Sequence, residues 1–145
     1  MNERRKDIPD LSFYTLRRYA KRDFDIEKVE PRVRKLVTSI NKLPDIVSYT
    51  SCEGHKHTDN ESQVDEGCFT VGFFVKPTTQ GLKSLGIIHL ATVNVNENDI
   101  SVSVDNGTYN PALVCFSVDG KNGVSPDKVA DEITSMLKGE TKNEA

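Results

Sequence analysis

The sequence predicts an α+β domain, with two or three helices packed on one face of a mostly antiparallel sheet of about five strands. Three observations predict it. Apolar residues recur at helical spacing near both ends of the chain, runs of β-branched and aromatic residues lie between them, and hairpin-type turn residues separate the later runs. At 145 residues, with 36 % hydrophobic and 28 % charged side chains, the chain fits one domain with its own core.

Residues 1–10 are polar and are expected to be flexible, with the single domain spanning 11–139 and a disordered tail over 140–145. Leu11, Tyr14, Leu16 and Ala20 suggest a first helix without a clean stripe. The second helix is clearer. Pro31 suits a first helical position, Val33, Leu36, Val37 and Ile40 fall at i, i+3, i+4 and i+7, and Leu43-Pro44-Asp45 stops it. Residues 46–50 read as a short strand running into the loop Ser51-Cys52-Glu53-Gly54-His55-Lys56-His57. Residues 68–75 form a central strand, with Phe69, Val71, Phe73 and Val75 on one face and Thr70, Gly72 and Phe74 on the other.

A turn or short helix over 77–84 then leads to three expected strands, 87–95, 100–104 and 112–118, forming an antiparallel meander. Asn96-Glu97-Asn98-Asp99 and Asp105-Asn106-Gly107 supply the turn chemistry between them. In this reading His89 lies on a strand, on the face of Ile87, Ala91 and Val93. Ser125 as N-cap, Pro126 at the first helical position, and Val129, Ile133, Met136 and Leu137 on one stripe define a closing helix ending near Gly139.

No stretch approaches the roughly 20 apolar residues needed to span a bilayer, and the charged start is followed by no apolar segment, so no membrane partner is expected and the expected location is cytoplasmic. There the thiols of Cys52, Cys68 and Cys115 stay reduced, as one or two site candidates plus a core residue. The net charge of -3 divides into +5 over residues 1–42 and -8 over the remainder. A basic front of this kind steers a small anionic molecule or a nucleic acid toward the N-terminal helices, and solvated helix faces produce the same count.

The loop over 51–57 packs a hydroxyl, a thiol, a carboxylate, a glycine, an ammonium and two imidazoles into seven residues leaving a strand, a common setting for function. Its ligand-binding candidates are Ser51, Cys52, Glu53, Gly54 and His55, with Gly54 allowing a sharp turn or a close approach. Three chemistries stay open. Cys52, His55, His57 and Cys68 offer two thiolates and two imidazoles to a metal such as zinc. Alternatively, Cys52 is a nucleophile with His55 or His57 as base and Glu53, Asp59, Asp65 or Glu66 as orienter. The loop could also be a polar turn with Cys52 tucked into the core. The acidic stretch Asp59, Glu61, Asp65 and Glu66 repels a phosphate backbone, so a nucleic acid would meet the basic helices first.

The segment Ile40-Asn41-Lys42-Leu43-Pro44-Asp45 followed by Tyr49-Thr50-Ser51-Cys52-Glu53-Gly54-His55 resembles the opening motif of the wybutosine-synthesis tRNA methyltransferase family. There an Asn, a Pro-Asp turn and a short strand lead into Ser-Cys-x-Gly and a basic residue. It also resembles small microbial and phage-type proteins with Ser-Cys-x-Gly-His after the same helix and turn. The match covers about sixteen residues. It implies that Ser51, Cys52 and Gly54 line a site for S-adenosylmethionine or a modified guanine base. His55 stands where the family has arginine, which removes a bidentate clamp, and there is no G-x-G-x-x-G nucleotide loop. The sequence therefore points to a nucleotide- or nucleic-acid-related ligand-binding or modifying domain. The alternative is a non-enzymatic phage or mobile-element accessory module that sequesters a ligand or binds a host protein.

Overall fold

In a computed structural model, residues 26–56, 63–95, 98–104 and 114–144 are described, with side chains as far as 139. The described chain runs through a 3-10 turn at Ile26–Lys28 and another at Pro31–Val33 into helix α1, Arg34–Asn41. Strands β1 (Ile46–Cys52) and β2 (Phe69–Val75), helix α2 (Thr79–Val95), strands β3 (Ile100–Val104) and β4 (Val114–Gly120), and helix α3 (Pro126–Glu144) follow. The four strands form one antiparallel sheet in the order β1-β2-β4-β3, and α3 touches both α1 and α2.

The α+β class holds, and among the described residues there are three helices and a sheet of four strands where about five were expected. The expected strand at 87–95 is the C-terminal half of α2. Its β-branched residues favour a strand locally, yet Gly81, Ser84, Ile88, Ala91 and Thr92 are buried at helical spacing. Small residues on that stripe let the helix lie close to its neighbours: a Cβ at Gly81 would overlap the carbonyl of Lys76. Tertiary packing overrides the strand propensity. His89 therefore sits exposed on a helix and not on a strand. The closing helix continues to Glu144, past Gly139, because one helical glycine costs only about 1 kcal/mol against alanine. The expected elements within 1–25 and the Asp105-Asn106-Gly107 turn lie outside the described residues.

One face of β2 carries Phe69, Val71, Phe73 and Val75, all buried against Leu36, Val37 and Ile40 of α1, Ile88 and Ala91 of α2, and Val129, Ala130 and Ile133 of α3. Each of the larger side chains, the alanines apart, contributes roughly 1.5–3 kcal/mol by leaving water. The other face is buried too at Val47, Phe74 and Cys115, which lie opposite one another across three strands. Cys115, between Val114 and Phe116, is thus the core residue among the three cysteines that the sequence offered.

Two contacts from α1 and the following turn hold β1 in place. Asn41 donates through Nδ2 to Ser48 Oγ and accepts from the Ser48 backbone N–H through Oδ1, both at 2.8 Å. Asp45, at φ 57°, accepts from Thr78 Oγ1, which joins the start of β1 to the start of α2. Asn41 and Asp45, both in the motif segment, thus have structural roles in aiming the strand that delivers Cys52.

Candidate functional site

At the end of β1 the chain must turn back toward β2, and Arg32 organises that turn from inside. Its Nη1 donates to the carbonyls of Glu53 (2.8 Å) and Cys68 (3.2 Å), and its Nη2 donates to the carbonyl of Val124 at 2.8 Å. One guanidinium therefore ties together the exit from β1, the entry to β2 and the β4–α3 connection. A planar fork suits this, and a lysine could not span all three. The guanidinium also lies over the Phe69 ring, 5.9 Å from its centroid.

Gly54, at φ +99°, makes the crossing. A Cβ there would overlap the carbonyl oxygen of Cys68 and come within 2.8 Å of that of Asp65. Beyond it, the His55 backbone N–H donates to Val64 O at 2.8 Å, and the Cys68 N–H to Asp65 O at 2.9 Å. The backbone of residues 53–55 is thus positioned by hydrogen bonds on both sides.

The side chains on this frame converge. Glu30, immediately before Pro31, accepts the Glu53 backbone N–H through Oε1 at 3.1 Å. Its Oε2 lies 2.6 Å from His55 Nε2, with both side chains 31 % exposed. The geometry of that approach is not that of a hydrogen bond, so Nε2, itself shut off from solvent, has no directed partner. The Cys52 side chain is buried, and its Sγ accepts the Val64 N–H at 3.4 Å. Ligand atoms of Glu30, Cys52 and His55 all lie within 4.8 Å of one another.

Of the residues expected from sequence, Cys52 and His55 are brought together and Gly54 builds the turn between them. Ser51 and Glu53 are half-buried beside them, and Glu53 takes part through its backbone. Cys68 borders the site through its carbonyl, and its thiol is not among the three converging groups. His57 lies outside the described residues. His89 belongs to a groove between α2 and β3, at the opposite edge of the sheet from β1.

Glu30 and Arg32 were not singled out by the sequence, because they precede a helix and stand 23 and 21 residues from Glu53, whose backbone they bind. Their signal was the Pro31 between them, which marks an ordered helix entry where side chains are held in place.

No protein-family model matches this chain, and no curated protein or solved structure does.

Proposed function

We propose that this protein is a ligand-binding domain whose site lies at the end of β1, over Ser51, Cys52, Glu53, Gly54 and His55, and that its ligand is a nucleotide or a nucleic-acid base. One observation supports the location above all others. Arg32 and Glu30 satisfy the backbone of the turn, which leaves partly exposed, chemically active side chains in fixed positions.

The ligand class rests on the Ser-Cys-x-Gly-basic resemblance and on the positive charge of residues 1–42. The described part of that basic front is largely engaged internally. Arg32 binds carbonyls, Arg34 donates to Val29 O and Glu27 O, and Lys35 pairs with Asp131. Phosphate contacts would therefore come from exposed Lys28, Lys42 and Lys56 rather than from Arg32, Arg34 or Lys35.

Thermal-shift titration with S-adenosylmethionine, guanosine nucleotides and a short guanine-containing RNA tests the reading. A ligand that binds only the folded state raises the unfolding midpoint by mass action. One of these should do so, and a His55→Ala/Lys56→Ala variant should lose the response. A flat result with all of them overturns it.

A second reading is favoured by a different surface. Leu82, Leu90 and Val93 of α2, Val104 of β3 and Val114 of β4 are exposed large apolar residues. Under this reading the protein is a non-enzymatic accessory module that docks another protein there. Leu82→Ser/Leu90→Ser would then abolish function while leaving the β1 site intact.

A further inference from the structure

We infer that Glu30, Cys52 and His55 form a divalent transition-metal site of the zinc class. The inference uses the location proposed above but not the identity of the organic ligand. A zinc ion takes ligands at about 2.0–2.3 Å in tetrahedral array, which places neighbouring ligand atoms roughly 3.3–3.8 Å apart. The three ligand atoms here already lie within 4.8 Å of one another, so small side-chain rotations complete the geometry. The tightest pair, Glu30 Oε2 and His55 Nε2 at 2.6 Å, must open slightly to admit the ion.

Three further features favour an ion over a simple polar cluster. His55 Nε2 is shut off from solvent without a directed hydrogen bond, although a carboxylate oxygen stands beside it. The two groups thus share one small enclosed space, with the imidazole nitrogen free to take an ion as the carboxylate moves aside. The surrounding contacts are of the kind that orient ligands. The Glu53 N–H holds one carboxylate oxygen and leaves the other facing the site, and the Val64 N–H donates to the Cys52 sulfur. The donors also come from two separate parts of the chain, the lead into α1 and the end of β1, yet Arg32 and Glu30 fix those parts relative to each other.

The donor set selects the metal. A thiolate, an imidazole and a carboxylate suit a borderline ion, whereas magnesium and calcium prefer oxygen alone. A nucleophile reading of the same trio uses Cys52 as attacking group, but its sulfur is buried and the Glu30–His55 approach is not a directed orienting bond.

The test is cobalt(II) titration of the full-length, tag-free protein after metal stripping. One equivalent should bind per chain, with a sulfur-to-cobalt charge-transfer band that disappears in Cys52→Ser. Glu30→Gln and His55→Ala should each weaken binding at least tenfold, while Cys68→Ser leaves it within about twofold. Circular dichroism confirms that each variant is folded. Should Cys52→Ser fail to fold, Glu30→Gln still decides the matter.

The inference is overturned by the absence of stoichiometric cobalt binding, or by binding that Cys68→Ser abolishes and Glu30→Gln does not. Repeating the nucleotide titrations on metal-stripped protein separates the two proposals. Nucleotide binding without cobalt binding removes the metal site alone, and cobalt binding without nucleotide binding removes the ligand class alone.

Discussion

Both ends of β1 are held by hydrogen bonds between side chains and backbone, but they leave their side chains in different states. At its start, Asp45 Oδ2 accepts from Thr78 Oγ1 at 2.5 Å, Thr78 Oγ1 accepts the Gly81 N–H at 3.0 Å, and Ser84 Oγ donates to Pro44 O at 2.6 Å. These side chains and the backbone groups they meet satisfy one another. At its end, Arg32 and Glu30 satisfy the backbone, and the side chains of Glu30, Cys52 and His55 are brought together with His55 Nε2 lacking a directed hydrogen bond. A closed polar network is architecture. A frame that completes its backbone and leaves side-chain donors converging is the geometry on which the proposed metal site rests.

The comparison breaks most readily at Gly54. Gly54→Ala combines a left-handed backbone with a clash against two carbonyl oxygens, so it should destabilise by about 4 kcal/mol in chemical denaturation. Gly123→Ala is the matched control. Its φ is also positive, at 76°, but a Cβ there meets nothing within 4 Å, so it should cost only about 1 kcal/mol. Equal losses at the two positions would show that backbone conformation alone matters and that the crossing at Gly54 is not tight.

Arg32→Ala comes next. It leaves three part-buried carbonyls without their charged donor and should cost about 3 kcal/mol, with Arg32→Lys recovering less than half. A loss below about 1 kcal/mol would mean that water replaces the guanidinium and that the frame is not rigid. The metal reading adds a contrast. In stripped protein His55→Ala should lie within about 1 kcal/mol of the parent, because its contact with Glu30 is poorly directed.

The difference between the two ends also explains what could be read from the sequence. Strands β1 and β2 and the closing helix follow local patterns, so the alternation of Phe69, Val71, Phe73 and Val75 and the Ser125-Pro126 start sufficed. Cys52, Gly54 and His55 stood out because they are adjacent in the chain. Glu30 and Arg32 did not, since their partners are 21 to 92 residues away and a sequence gives no sign that a basic residue faces inward. Counted as part of a basic front, Arg32 looked like a steering charge and is in fact a brace. Residues 87–95 misled for the reverse reason. Their β-branched content is a local signal, while the small-residue stripe that makes them helical acts through packing.

At the start of β1, Thr78→Ala removes both the cap on α2 and the bond to Asp45 and should lower stability by about 1–2 kcal/mol. It should leave cobalt affinity at the other end of the strand unchanged. A coupled loss of affinity would show that the two ends are one unit.

The smallest expected effect belongs to Lys35 and Asp131, which pair at 2.5 Å between α1 and α3 with side chains 56 % and 63 % exposed. The hydrogen bond and then the charge of Asp131 raise the lysine pKa above its ordinary 10.5. A raised folded-state value means that the pair's contribution is present below pH 10.5 and is lost as pH rises through the folded value. Because water and salt screen so exposed a pair, Lys35→Met should leave the unfolding midpoint at neutral pH unchanged within error. This pair tests the premise of the whole comparison, since it is shorter than most of the contacts at either end of β1. If its loss cost as much as that of Thr78, closeness of polar groups would govern stability here. No change at Lys35, beside a clear loss at Thr78, would locate the effect in enclosure and in the backbone groups that the side chain serves.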